Sequence, residues 1–228
     1  MDILNDLTYE TVNTFKKNFE GFMKPINFSG YINRVKKWNE VAAKARGFTT
    51  PIEKQWDFVE EEWRETLKAL AENNKKEFID GLIDTFVTLS YAAYLTQQDE
   101  YIVLCEEFPE LRDISYISDC VRERKNPVAA LNVLVNIISD TDMDLRYNFE
   151  QVLSSNDSKY PKVKWLLKKW KTDDIGYAMV YESLEIENHN DDRYSQVYGK
   201  VVDDRVVFFD SNSKIMKPSS FFEPKIRF

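Results

Sequence analysis

Two neighbouring runs of this chain concentrate the side chains best suited to hold a cation. FVEEEWRETLKAL carries Glu61, Glu62 and Glu65, and KEFIDGLIDTFVTLSYAAY carries Glu77, Asp80 and Asp84. At about 100° per residue, Glu77, Asp80 and Asp84 share one narrow stripe of a helix that is otherwise covered by Phe78, Ile79, Leu82, Ile83, Phe86 and Val87. Carboxylates crowded into so apolar a segment repel one another and lose hydration, and a divalent cation relieves both penalties. Their oxygens are hard donors, which points to Mg2+ first and Mn2+ second. In the earlier run, the EExxE spacing sets acids three and four residues apart, as one helix must to offer two carboxylates to one ion. An acidic helix face alone is usually only solvated. Pairing it with an acid-striped apolar helix across a short turn is what singles this one out.

The elements that position these acids follow from periodicity and from Gly, Pro and Asn. Residues 8–23 and 31–45 predict amphipathic helices interrupted by Pro25, Asn27 and Gly30. Gly47-Phe48-Thr49-Thr50-Pro51 is a stop, a loop and a fresh start, with Thr50 as N-cap, Pro51 in the first helical position and Glu53 three residues after the cap. That helix should reach Ala71. Asn73-Asn74 then turns the chain into a helix over 75–95, so the acid-bearing helices form an antiparallel hairpin with facing stripes. Residues 99–150 predict further helices, punctuated by Pro109 and Asn126-Pro127, with ALNVLVNII the most apolar run. Beyond Gly176 the texture changes, and YSQVYGKVVDDRVVFFD predicts two strands around Asp203-Asp204. The expected architecture is all-α: a helical catalytic bundle over 1–175 and a small C-terminal β-hairpin appendage over 176–228.

With 228 residues the chain can build one sizeable core plus a small addition. Its 31 Lys and Arg against 39 Asp and Glu give a net charge of −8, which argues against gripping nucleic acid through overall charge. Small phosphorylated ligands remain open to it through local bases. The basic run 159–171 fits the same view: Val163, Leu166, Leu167 and Trp170 form one face and Lys162, Lys164, Lys168, Lys169 and Lys171 the other, the pattern of a packing helix. No run of about 20 apolar residues is found, and the first residues lack the apolar core of a secretory signal, so a cytoplasmic protein away from membranes is expected. Cys105 and Cys120 are then reduced. The one histidine, His189, lies in the polar run ENHNDD and is expected to be a solvated loop residue. With a single histidine, neither a zinc site nor a carboxylate-histidine di-iron site can be assembled.

EExxE, a short turn and an acid-striped helix together resemble the all-α nucleoside triphosphate pyrophosphatases, the MazG-like superfamily that includes dimeric dUTPases and phosphoribosyl-ATP pyrophosphatases. That group's hallmark is EExxE followed by ExxD on the next helix. IDGLIDTFVTLSYAAY is similar to the second-helix signature of a phosphoribosyl-ATP pyrophosphatase-like branch often found in phages. FEQVLSSNDSKYP resembles that branch's "evhrSNMSKf", with Ser155, Asn156, Ser158 and Lys159 matching and Asp157 in place of methionine. DSNSKIMKPSSFFEPKI resembles its closing "dGKvlKsPnyfpPdl", with Ser213 where glycine is usual. The likeness covers residues 50–95 and the C-terminal third, while 96–140 and 162–195 read as additions.

The resemblance implies a MazG-like bundle in which Glu62, Glu65 and Asp84 ligate the metal. Asp80 ranks above Glu77 as the fourth ligand, because aligning on Asp84 puts Gly81 where the family carries glutamate. Glu61 or Glu77 then orients water or supports the ligands. The implied reaction is Mg2+-dependent hydrolysis of a (d)NTP at the α-phosphate to a nucleoside monophosphate and pyrophosphate. The implied assembly is a homodimer or homotetramer in the cytoplasm, that of the host for a phage protein. A dUTPase-like or phosphoribosyl-ATP-like specificity is the alternative, and outside the enzymes the rival is a silent nucleotide- or partner-binding bundle. Asn156 would hydrogen-bond the substrate and Lys159 would supply charge to phosphate. Lys214 and Lys217 are further phosphate candidates, with plain surface lysines as the competing reading. Trp38-Asn39 could give a stacking face and a base-edge contact, with a core Trp as the competing reading.

Overall fold

A hairpin of two long helices carries the acidic residues, and its turn is built from asparagines. In the computed structural model, which describes residues 28–96, 114–139, 144–189 and 196–227, α1 spans Phe28–Arg46, α2 Ile52–Ala71 and α3 Lys75–Leu95. Asn73 takes the left-handed conformation at φ 53°, which its short polar side chain tolerates. Asn74 caps α3 by accepting the Glu77 backbone N–H at 3.3 Å. The helix expected over 8–23, together with Pro109 and Cys105, lies outside the described residues.

The start of α2 differs from expectation. Pro51, not Thr50, holds the N-cap, with φ −59° and ψ 144° and no side-chain capping bond, and Thr50 is buried. The proline sets the extended entry itself, and its carbonyl accepts the Gln55 N–H at 3.0 Å, so no hydroxyl cap is needed.

The chain divides into two compact units, each with its own core. The first contains the described residues in 28–36, 50–152 and 225–227. In it α3 packs on α2 and on α5 (Pro127–Ser139), and α4 (Ile114–Glu123) packs on α5 and α2. α2 buries Trp56, Val59, Trp63, Leu67 and Leu70 at helical spacing. α3 is buried nearly all round; by length and composition it is the described helix apolar enough to cross a membrane, an exception to the sequence expectation, and here it serves as the central core helix. The break at Asn126-Pro127 forms as expected: Arg124 and Asn126 have φ of 52° and 54°, and Pro127 opens α5, where its missing N–H costs nothing. Arg124 then binds α2 through Asp57 at 2.8 Å and Glu60 at 3.3 Å. Phe86 and Phe149 meet edge to face at 5.0 Å, Phe28 lies 5.6 Å from Phe149, and Tyr31 stacks on Phe149 at 4.8 Å.

α2 and α3 approach closely at Gly81. A Cβ there would fall 2.5 Å from Thr66 Oγ1 and 3.1 Å from Thr66 Cα. Glycine is favoured by space at this point, not by conformation. The Thr66 and Thr85 hydroxyls lie 3.2 Å apart, and Gln55 Nε2 donates to the Thr88 carbonyl at 2.8 Å, fixing the antiparallel register.

The second unit contains the described residues in 37–49 and 153–224. Here the end of α6 (Leu145–Ser158) leads to α7 (Val163–Trp170) and α8 (Ile175–His189). β1 (Val197–Val202) and β2 (Arg205–Asp210) follow as an antiparallel pair, joined as expected by Asp203-Asp204, with Asp203 at φ 55°. Val206 and Phe208 pack with Leu166, Ala178, Ile186 and Met216, while Val202 and Val207 pack with Ala42, Ala45 and Tyr160. With both faces covered, β2 reads as the continuous apolar run VVFF and not as an alternation.

The hairpin is therefore no free appendage beginning at residue 176. Residues 175–189 form α8, which presents Ala178, Glu182 and Ile186 at four-residue spacing to the core and packs on both α7 and β1. His189 closes α8 instead of sitting in a loop, with Nδ1 2.8 Å from the Glu185 carbonyl. The molecule is mostly helical, with a small two-stranded antiparallel sheet near its C-terminal end.

Glu182 is fully buried. Its Oε2 accepts Lys169 Nζ at 2.8 Å and Trp170 Nε1 at 3.0 Å, and its Oε1 accepts the Ser219 N–H at 2.7 Å and the Ser219 hydroxyl at 2.6 Å. Burial is the largest influence on this carboxyl and pushes its pKa up, but the bonds from Lys169, Ser219 and Trp170 together outweigh it and hold the group below its ordinary value.

Two stability tests follow from these contacts. Gly81→Ala gains about 1 kcal/mol of helix propensity but must displace Thr66, so a net loss of about 1–2 kcal/mol in urea unfolding is expected, partly restored by adding Thr66→Ala. Glu182→Gln turns an amide N–H2 toward donors and should cost about 2–4 kcal/mol at neutral pH. Because the folded carboxyl lies below its ordinary 4.5, its contribution is complete above that pH and is lost as pH falls through the folded value. Glu182→Gln should accordingly flatten the acid limb of the stability curve below pH 4.5, and an unchanged limb would place the acid sensitivity elsewhere.

Candidate functional site

The α2/α3 hairpin sorts the acidic residues into two groups. Glu62, Asp80 and Asp84 are half-buried, whereas Glu61, Glu65 and Glu77 are exposed. The sorting follows from the rotation that Thr66 and Gly81 impose. Glu62 lies one turn before Thr66 on the same face of α2, and its carbonyl accepts the Thr66 hydroxyl at 2.8 Å. Asp80 and Asp84, one turn apart on α3, flank the row of Gly81, Thr85 and Thr88 that meets α2. All of the half-buried acids are engaged by their surroundings.

Glu61 and Glu65 are four residues apart on the outer side of α2. Glu77 stands in the first turn of α3, where a carboxylate also complements the helix dipole. Among the described residues, no group of three or more His, Cys, Asp or Glu side chains is gathered to hold a metal ion. The half-buried oxygen donors thus lie on both helices of the hairpin without being gathered into a metal-binding group.

The expected ligand-contacting residues all belong to the second unit, where several come together. Trp38 Nε1 donates to the Asn156 carbonyl at 2.9 Å, and its ring stacks on Tyr160 with centroids 5.0 Å apart and planes 19° from parallel. Lys159 Nζ donates to Asn156 Oδ1 at 2.8 Å and lies 5.8 Å from the ring centres of both Trp38 and Phe221. The end of α6 thereby delivers a lysine held between two aromatic rings. Trp38 is half-buried, with Tyr160 stacked on it and Lys159 beside it, so its ring helps to position the lysine. Asn39 is buried.

The segment after β2 is laced to the same helix end. Ser155 Oγ donates to the Phe222 carbonyl at 2.8 Å, Ser220 Oγ to the Ser158 carbonyl at 2.8 Å, and the Phe222 N–H to Ser158 Oγ at 3.3 Å. These bonds join the SNDSK and SSFF segments. Lys217 faces Phe221 at 4.2 Å and pairs with Glu223 at 3.1 Å. Lys214 is exposed; its backbone N–H is held by Asp210 Oδ1 at 2.8 Å in the turn where Ser213 adopts φ 63°. That left-handed angle explains why glycine suits position 213.

Tyr160, stacked on Trp38, and Phe221, beside Lys159, complete this aromatic setting, and no chemical motif in the sequence marks either of them. Their only sequence signal is that each adjoins a polar cluster, SNDSK or SS. Compared with known proteins, the chain matches no protein-family model, no curated protein and no solved structure.

Proposed function

We propose that this chain is a Mg2+-dependent nucleoside triphosphate pyrophosphohydrolase of MazG-like construction, which converts a (d)NTP to the monophosphate and pyrophosphate and works as a homodimer or homotetramer. The observation that carries the reading is the hairpin: Glu62, Asp80 and Asp84 are kept half-buried on adjoining helices by the Gly81–Thr66 contact. Donors that are all carboxylate oxygens fit a hard divalent ion by their chemistry. Glu62, Asp80 and Asp84 would hold it, with Glu65 from the outer side of α2. When bound, Mg2+ supplies positive charge against triphosphate oxygens and a Lewis acid for water.

The chain's own groups do the rest. Half-burial of Glu62, Asp80 and Asp84 lowers the competition of water for their oxygens. Glu61 and Glu77, solvated and close in sequence to those ligands, are the groups available to orient water or take its proton. In the second unit Asn156 fixes Lys159, whose ammonium gives a point charge for phosphate, and the flanking rings restrict its rotamers so that less entropy is lost on binding. Lys214 and Lys217 are lesser contributors of the same kind. The rivals are a dUTPase-like or phosphoribosyl-ATP-like preference and a silent binding bundle.

An ion-exchange product screen over each NTP and dNTP with Mg2+, run in ¹⁸O water, separates these. Monophosphate carrying the label together with pyrophosphate is expected; label in orthophosphate alone excludes attack at the α-phosphate, and no turnover with any substrate favours the silent bundle. Glu62→Gln, Glu65→Gln and Asp84→Asn should each lower turnover at least about 100-fold while leaving thermal unfolding intact.

Lys159→Ala should raise KM by roughly tenfold with kcat little changed, and Lys159→Arg should retain more function. Asn156→Ala should act in the same direction by releasing the lysine. Unchanged KM in both alanine variants, with a small loss of thermal stability, would make the pair a helix-end contact only.

A further inference from the structure

Within the second unit an open groove of about 540 Å³ runs between the end of α6, the start of α7 and the start of β2, a volume in the range of small-ligand sites. Its floor is Tyr160 and Pro161, and its sides include Lys164, Trp165, Lys168 and Arg205. The floor is fixed by backbone bonds: the Val206 N–H donates to the Pro161 carbonyl at 2.9 Å, and the Val163 N–H to the Asp204 carbonyl at 2.8 Å. Arg205 Nη1 donates to the Tyr160 carbonyl at 2.9 Å, which anchors a planar group with further donors.

α7 is an amphipathic helix whose apolar face explains Leu166, fully buried, and the packed Val163, Leu167 and Trp170. It does not explain Trp165, which stays 39% exposed on the lysine side. Lys164 and Lys168 stand four residues apart on that side, where like charges repel, and both line the groove. Lys162, also on the lining, is 63% exposed and is met only at 3.6 Å by Asp204. The carboxylate among the lining residues is Asp157, so basic groups outnumber acidic ones around a ring with an accessible surface. A mobile anion between Lys164 and Lys168 would relieve their repulsion, and an attached flat ring would cover Trp165.

We infer that this groove binds a mononucleotide, its phosphate between Lys164 and Lys168 with Arg205 as a further donor, and its base against Trp165. The site uses none of the hairpin carboxylates and none of Asn156, Lys159 or Lys217, so it stands whether or not the chain hydrolyses triphosphates. Its size and the short spacing of its charges suit one nucleotide better than a strand, in keeping with the net charge of −8.

The test is calorimetric titration of the full chain with AMP in EDTA, beside adenosine, inorganic phosphate and an oligothymidylate. AMP should bind saturably and at least about tenfold more tightly than adenosine or phosphate alone, because only AMP engages both the charges and the ring. Lys164→Gln with Lys168→Gln should weaken AMP about tenfold or more and reduce the salt dependence. Trp165→Leu should weaken AMP while leaving the weak binding of phosphate unchanged. None of the three side chains is buried in the core, and circular dichroism confirms folding of the variants. The inference is overturned if AMP does not bind, if it binds with the same affinity in these variants, or if oligothymidylate binds in its place with affinity rising with length.

Discussion

The contact on which the rest of the first unit depends is the one between Gly81 and Thr66. Two helices joined by a short turn could pack in several rotations, and apolar residues cover so much of α3 that burial alone would not choose among them. A missing side chain at 81 opposite a short β-branched one at 66 lets the backbones close up at that point. Once they do, Thr85 meets Thr66, Gln55 reaches the Thr88 carbonyl, and the orientation of every other side chain on the hairpin is set. The same contact disfavours any larger side chain at position 81, since even a Cβ there would lie 2.5 Å from Thr66 Oγ1 and force Thr66 to shift.

This constraint also explains what could be read in the sequence and what could not. Asn73-Asn74, the Ala71 stop and the whole of Lys75–Leu95 were legible because turn chemistry and apolar periodicity are local. The β-hairpin was legible through Asp203-Asp204 and the valines. Which acids would face inward was not, because a helical period gives angles within one helix and not its rotation against another. Thr50 misled because a proline in the next position performs the same task through its fixed φ. α8 was hidden for a different reason: Glu182 interrupts its buried face, and a charged residue in the core counts against a helix unless its partners Lys169 and Ser219, distant in sequence, are already known.

In the second unit polar groups organise what apolar packing alone would leave loose. Glu182 gathers bonds from α7 and from the segment beyond β2, so one carboxylate joins three stretches of chain. Ser155, Ser158 and Ser220 do the same with neutral bonds, which turn the end of α6 into a seat for the SSFF segment. Lys159 emerges from that seat with its donor direction already set, which a lysine on an open helix face lacks.

The sandwiching of β2 has a consequence for how the protein reaches its structure. Thr66 and Thr85 are 19 positions apart, so the α2/α3 hairpin can close early, on short-range contacts. The cluster that covers the other face of β2 joins Ala42 and Ala45 to Val207, and the nearby bond from Arg46 to Ser213 spans 167 positions. Closing so long a loop is slow, and until it closes one apolar side of the strand pair is bare. The C-terminal half of α1 is thus a cover supplied from a distant part of the chain, and until it docks the Val207 side of VVFF is a bare apolar surface of the kind that chaperones shield.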